Sequence, residues 1–81
     1  MESHAPIIRR MTTLKFKTAS KIKALRKKRG YSQEELASKA ELEYKYIQRI
    51  EGKNPPNIGI ETLEKISKAL KVSLSSLLES K

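Results

Sequence analysis

Four residues between positions 44 and 49 carry groups that can contact the edges of nucleotide bases. Ile47 and Ile50 recur at helical spacing, so a helix that buries both turns its other face outward. An arginine can bond guanine O6 and N7 together, a glutamine can pair with adenine, and an α-helix fits the DNA major groove. The sequence therefore predicts a base-contacting helix over residues 43–51, with an outward face formed by Glu43, Tyr44, Lys45, Gln48 and Arg49, of which the last four are the predicted base contacts.

The segment that must position these residues begins with a second short helix. Leu36, Ala37 and Ala40 recur at helical spacing. Ser32, followed three residues later by Glu35, is a capping box, in which each side chain bonds a backbone N–H that the helix leaves free. Helices this short are unstable alone, so the two must pack on each other. The pattern therefore predicts a helix-turn-helix.

The composition excludes several kinds of chemistry. The 81 residues include no cysteine and one histidine, so a disulfide framework, thiolate catalysis and the usual zinc sites lack their residues. Nothing supplies an activated nucleophile or a paired acid and base, so neither an enzyme activity nor a cofactor is expected. No apolar run approaches the length of a membrane span. The length corresponds to one domain.

The net charge of +9 is unevenly distributed along the chain. Residues 1–31 contain ten lysines and arginines and one acidic residue, whereas residues 32–81 contain eight of each sign. A strongly basic surface attracts polyanions such as nucleic acids. That attraction is therefore expected from the first part of the chain rather than from the base-contacting helix.

Residues 1–17 are predicted to form a flexible, basic, extended arm ahead of a domain over residues 18–81. Within this arm, residues 12–17 (TTLKFK) alternate between apolar and basic side chains, as strands do. One interpretation is an extended lead-in whose Leu14 and Phe16 cover the core. The other is a strand that pairs with its twin in a dimer.

A first helix is predicted from Thr18 or Ser20 to about Arg29, with Gly30 as its stop. Its last turn carries Arg26, Lys27, Lys28 and Arg29. Basic residues suit the negative end of a helix dipole, so the cluster is either a solvated helix end or a phosphate-binding surface. Lys27 and Lys28 are the predicted phosphate contacts.

Two further helices are predicted after a loop. The stretch KNPPNIG at residues 53–59 disfavours a helix, because its prolines remove backbone donors. A fourth helix is predicted from near Ile60 and a fifth after a Ser73 cap. The last turn and helix have more apolar residues than so small a core needs. They predict a dimer surface formed by Val72, Leu74, Leu77 and Leu78.

Three stretches together resemble the family of Cro- and lambda-repressor-like (XRE-type) DNA-binding domains. They are ALRKKRGYSQEELASKA, YIQRIEGK and LEKISKALKVSLSSLL, in the family's order and spacing, and the resemblance covers about residues 18–78. It implies an all-α, compact, five-helix lambda-repressor-like domain. Two positions depart from the family pattern. Glu41 stands where the turn usually has glycine, and Glu43 replaces the usual Ser or Thr cap of the recognition helix.

The resemblance also implies roles for individual residues. Tyr44, Lys45 and Arg49 match family base-contact positions, and Gln33 matches a position that touches phosphate or a neighbouring base. Lys53 and Asn54 lie in a loop that contacts phosphate in the family. Tyr46 is a further predicted phosphate contact, with packing against the first helix as the alternative.

The sequence thus predicts a regulator of transcription that binds a palindromic double-stranded DNA operator as a homodimer. Within the family, a restriction–modification controller and a phage-type repressor both remain open. Its expected location is the cytoplasm, on the nucleoid. The alternative is an antitoxin-like or other protein-interaction module, which binds a toxin or RNA polymerase and for which DNA is secondary. Either function is carried out without a membrane.

Overall fold

Five α-helices follow one another in the structure, a computed structural model that describes residues 7–78. They are α1 (Ile7–Lys28), α2 (Gln33–Ala40), α3 (Tyr44–Ile50), α4 (Ile60–Leu70) and α5 (Leu74–Leu78). Within the described range every regular element is a helix, which confirms the predicted all-α, five-helix domain. None of these helices is long and apolar enough to cross a membrane.

The core lies where α2, α3 and α4 meet under α1 and α5. Its fully buried large side chains come from all five helices: Ile22, Leu36, Ile47, Ile50, Ile66, Leu70 and Leu77. Ala37 of α2 is also buried, and α2 packs against α3. The buried isoleucines of α3 fix the rotation of that helix, so its opposite face is turned to solvent.

The predicted capping box begins α2. The Ser32 hydroxyl accepts a hydrogen bond from the Glu35 backbone N–H at 3.0 Å, and the Glu35 carboxylate accepts one from the Ser32 N–H at 2.8 Å. Two of the free N–H groups at this helix start are thereby satisfied. The start of the helix-turn-helix is therefore fixed by its own local sequence.

The turn between α2 and α3 is made by Glu41 in the left-handed conformation, with φ 57° and ψ 44°. This turn allows the Leu42 N–H to bond the Ala37 carbonyl at 2.8 Å. Glycine adopts this conformation without a Cβ penalty, whereas a glutamate does so with strain. The turn expected from the sequence is present, and its glutamate takes the conformation for which the family uses glycine.

The extended arm predicted over residues 1–17 is wrong from residue 7 onward, because α1 already begins at Ile7. No proline or glycine interrupts residues 7–28, so a helix nucleated at the core can extend backward. Leu14 and Phe16 are 50% and 40% exposed, so neither covers the core as expected. The strand interpretation of residues 12–17 is also wrong. Residues 1–6 of the predicted arm lie outside the described residues.

The C-terminal helix differs from expectation at one residue. Leu77 is 0% exposed and belongs to the core, so its predicted place in a dimer surface is wrong. The preceding turn is as predicted, with the Ser73 hydroxyl accepting a hydrogen bond from the Ser76 N–H at 3.0 Å. Val72 and Leu74 are half-buried, and Leu78 is 42% exposed.

Candidate nucleic-acid interface

The outward face of α3 carries the predicted base-contacting residues. Tyr44, Lys45, Gln48 and Arg49 are all exposed, whereas Ile47 and Ile50 on the opposite face are buried. Residues four apart are neighbours on a helix surface, so Tyr44 lies next to Gln48 and Lys45 next to Arg49. The structure therefore brings all four side chains together on one solvent-facing strip of α3, which we call the recognition strip.

The start of α3 has an unusual cap. Glu43 is the N-cap residue in an extended conformation, and its side chain makes no capping hydrogen bond. A carboxylate there still favours the positive end of the helix dipole. Because Glu43 is exposed, it also places a negative charge at the tip of the recognition strip.

Gln33 is the first residue of α2, and its side chain is held by a hydrogen bond to Glu51. Its Nε2 donates a hydrogen bond to Glu51 Oε1 at 3.0 Å. The residue as a whole is half-buried. The start of α2 and the end of α3 are thus linked through these two side chains.

Glu51 is held in turn by Arg26 of α1. Arg26 Nε donates to Glu51 Oε2 at 2.7 Å, and Arg26 Nη2 donates to Glu51 Oε1 at 2.9 Å. The third guanidinium nitrogen, Nη1, donates to the Tyr31 carbonyl at 2.6 Å. The Glu51 side chain is 1% exposed and that of Arg26 11%. The pair is therefore a buried, bidentate ion pair between α1 and the end of α3.

The ion pair shifts the pKa of both partners. Burial acts to raise the pKa of Glu51, but the hydrogen bonds from Arg26 and Gln33 and the charges of Arg26 and Lys23 outweigh it, so that pKa is lowered. The hydrogen bond to Glu51 raises the pKa of Arg26 against the opposing effect of burial. Both groups are thus charged at neutral pH, and their charges cancel beneath the recognition strip.

The basic cluster at the end of α1 divides into two pairs. Arg26 bonds Glu51, and Arg29 caps the end of α4 by donating from Nε to the Leu70 carbonyl at 2.8 Å and from Nη2 to the Lys71 carbonyl at 3.2 Å. Lys27 and Lys28 are exposed. The two arginines therefore bond other parts of the fold, although Arg29 is also exposed, and Lys27 and Lys28 face solvent as the predicted phosphate contacts require.

The remaining predicted phosphate contacts lie in different environments. Lys53 and Asn54 are exposed in the loop after α3, which buried Pro55 anchors. Tyr46 is half-buried and packs against the core. Contact of these residues with phosphate stays a prediction.

The sequence did not predict that the side chains of Arg26, Glu51 and Gln33 form one hydrogen-bond network. The partner of Glu51 in its ion pair lies 25 residues earlier in the chain. A local signal exists, since Arg26 follows Ala19 and Ile22 on the buried side of α1. An arginine in a core-facing position needs a carboxylate or carbonyl partner.

This architecture, with α2 packed against α3 and an exposed polar strip on α3, defines a helix-turn-helix domain. The family model HTH_3, described as helix-turn-helix, matches residues 22–77, and the chain belongs to this family. The family resemblance found in the sequence is thereby confirmed.

Known proteins of this family are similar to the chain over most of its length. It is 44% identical over 61 residues to the HTH-type transcriptional regulator SinR of Bacillus subtilis (strain 168). This match covers 75% of the chain but 55% of the relative, so the chain spans about half the length of the curated relatives it matches.

Two solved structures of similar proteins contain DNA. A crystal structure of SinR, described as the master regulator for biofilm formation, in complex with DNA has a TM-score of 0.72 and 42% identity, covering 76% of this chain and 98% of that one. The controller protein C.Esp1396I bound to a 19 base pair duplex has a TM-score of 0.73 and 41% identity, covering 79% and 84%. These identities are high enough to compare the sites as well as the folds.

Proposed function

We propose that this chain is a transcriptional regulator that binds double-stranded DNA sequence-specifically as a homodimer, with α3 in the major groove. The observation that carries the proposal is the strip of four exposed side chains on α3, on a helix whose rotation is fixed by buried Ile47 and Ile50. Arginine, lysine and glutamine on such a helix are suited to base edges. That two similar proteins have been solved with DNA supports the same use here.

Phosphate contacts would surround this strip. The proposed residues are Gln33, Tyr46, Lys53, Asn54, Lys27 and Lys28. Such contacts fix the orientation of a protein on the duplex but carry no sequence information themselves. Arg26 is neutralised by Glu51 and Arg29 Nε donates to a backbone carbonyl, so we assign the phosphate contacts at the end of α1 to exposed Lys27 and Lys28.

A homodimer would place two copies of α3 on a palindromic operator. Half-sites read by helix-turn-helix dimers lie about 34 Å apart, or a multiple of that distance. The proposed dimer surface consists of Val72, Leu74 and Leu78, without buried Leu77. A DNA-bound regulator of this kind works without a catalytic group or cofactor, and it would be located on the nucleoid in the cytoplasm.

A second candidate function is binding of a protein, such as a toxin or RNA polymerase, with DNA as the secondary ligand. The observation that favours it is the exposure of Leu14 and Phe16 on α1, ahead of the residues that the family model matches. Leu14 also lines a groove of about 350 Å³ together with Ile58 and Leu63. Apolar surface of this kind is more suited to a protein than to phosphate.

Selection of sites from a random pool of double-stranded DNA tests the main proposal. We expect a palindromic consensus, two protomers per duplex, and an affinity at least about 10³ times that for random DNA at physiological salt. Failure to enrich any sequence, with equal affinity for all duplexes, would contradict sequence-specific binding and leave the second candidate function.

A further inference from the structure

We propose that Glu51 is a positioning residue for DNA binding: its carboxylate orients the Gln33 amide so that one N–H of that amide is directed to a DNA phosphate. The inference rests on the proposed function, and it assigns to Glu51 a role beyond the ion pair with Arg26. It begins from the way in which the two oxygens of Glu51 are used.

Every hydrogen bond of this carboxylate is accounted for by a side chain from another helix. Oε2 accepts from Arg26 Nε, and Oε1 accepts from both Arg26 Nη2 and Gln33 Nε2. The guanidinium is itself fixed, because its remaining nitrogen bonds the Tyr31 carbonyl. A planar fork bonded at three nitrogens leaves the carboxylate one orientation. Glu51 is thus a rigid acceptor directed at the start of α2.

That acceptor selects one of the two orientations of the Gln33 amide. With Nε2 against Glu51, one N–H is bonded to the carboxylate, and the second N–H is left for another partner. The flipped amide would bring its carbonyl oxygen against Oε1, where two acceptors repel. A glutamine without this neighbour has both orientations open and must lose that freedom when it binds DNA.

The backbone of Gln33 is fixed independently of this contact. The capping box of Ser32 and Glu35 holds the first turn of α2, so the backbone from which this side chain extends is fixed. Ordering a side chain before binding lowers the entropy cost of the complex. Glu51 is therefore placed to raise affinity without touching DNA, at 1% exposure.

The charge of Glu51 does not oppose this role. A free carboxylate near phosphate would repel DNA, but Arg26 neutralises it at bidentate distance. The network thus links α1, α2 and α3 to a single phosphate contact.

A double-mutant cycle on the selected operator tests the proposal. The variants are Gln33→Ala, Glu51→Gln and the two combined, with Glu64→Gln as the control. Glu64 is an exposed carboxylate on α4, so its substitution measures the effect of removing one negative charge. Each affinity is measured at a temperature where circular dichroism shows the variant folded.

We expect Gln33→Ala to weaken binding about fivefold, as for the loss of one hydrogen bond. Glu51→Gln, corrected by the Glu64→Gln control, is expected to weaken it by a similar factor, and the combined variant by no more than Gln33→Ala alone. Additive losses would overturn the proposal, because Glu51 would then act independently of Gln33. An unchanged affinity for Gln33→Ala or for Glu51→Gln would overturn it as well.

Nuclear magnetic resonance of the wild-type protein keeps the proposal testable if Glu51→Gln does not fold. One side-chain amide proton of Gln33 should resonate downfield of both amide protons of exposed Gln48. Similar shifts for the two glutamines would contradict the Glu51 contact. These outcomes are separate from the proposed function: a wild-type protein that selects no DNA sequence defeats the function, whereas an operator bound equally by wild type and Gln33→Ala defeats only this inference.

Discussion

The carboxylate of Glu51, at the end of α3, forms two hydrogen bonds with the guanidinium of Arg26 in α1, at 2.7 and 2.9 Å. These residues are 25 positions apart in sequence and are both nearly removed from solvent. Removing one partner of a buried ion pair leaves the other charge without compensation, which is strongly destabilising. The pair therefore couples the position of the recognition helix to the integrity of the fold.

Acid should weaken the protein through this pair. Because the pKa of Glu51 in the folded protein lies below its ordinary value of 4.5, the folded state favours the ionised form. The stabilisation is present above pH 4.5 and is lost as the pH falls from there through the lowered pKa. We expect urea midpoints between pH 6 and pH 2 to fall more steeply for the wild type than for Glu51→Gln. If the urea midpoints of the two proteins fell in parallel with pH, Glu51 would not contribute to the pH dependence of stability.

The turn before α3 should become more stable with glycine. Glu41 has φ 57°, a conformation that costs a residue with a Cβ about 1–2 kcal/mol. Glycine removes that cost but has more freedom in the unfolded chain, so Glu41→Gly should stabilise the protein by about 0.5–1 kcal/mol. Lys71 has a similar conformation, with φ 60°, so Lys71→Gly is the matched variant and should stabilise the protein for the same reason.

Lys68→Gly, within α4, provides the opposite control and should destabilise by about 1 kcal/mol. Chemical denaturation of the three variants makes the comparison. A loss of stability in Glu41→Gly as large as that in Lys68→Gly would show that the turn is not strained.

The helix-turn-helix itself could be predicted from sequence because its signals are local. The Ser32–Glu35 capping box, the spacing of Leu36 and Ile47, and the break near Glu41 each depend on residues within a few positions of one another. The outward face of α3 followed from the same spacing. The family motifs then supplied the candidate contacts that spacing alone does not define.

The parts that could not be predicted depend on distant partners or on ambiguous patterns. The partners of Arg26 and Arg29, which are Glu51 and the Leu70 carbonyl, lie 25 and 41 residues away, so no local pattern identifies these partners. Residues 12–17 alternate like a strand over too short a stretch to exclude a helix. Leu77 and its neighbour Leu78 are equally apolar, and only the packing of α5 on α1 and α4 decides which is buried.

Salt dependence of DNA binding should identify the lysines that contact phosphate. Each phosphate neutralised contributes about 0.9 to the slope of log affinity against log salt concentration. Lys27→Ala combined with Lys28→Ala should lower the slope by up to about 1.8 per protomer. Lys65→Ala with Lys68→Ala, both exposed on α4, is the matched control and should change it little. Equal changes in both double variants would indicate a general charge effect instead.

Dimerisation should depend on Leu78 rather than on Leu77. A charge at exposed Leu78 would oppose burial of that position against a second copy, so Leu78→Asp should shift the protein to monomer without loss of helicity. Leu77→Asp should instead unfold it, because Leu77 is in the core. Sedimentation at micromolar concentration and circular dichroism distinguish these effects. A wild-type protein that stays monomeric on its operator would contradict the proposed homodimer.

The central claim, that α3 reads bases through its exposed strip, is tested most directly at Arg49. Wild type and Arg49→Ala are measured on the selected operator, on every single-base-pair variant of it, and on random DNA. Arg49→Ala should cost about 1–3 kcal/mol on the operator and abolish discrimination at one base pair in each half-site, with little effect on random DNA. An equal loss on operator and random DNA, with all base preferences retained, would show that Arg49 contacts phosphate and would contradict the account.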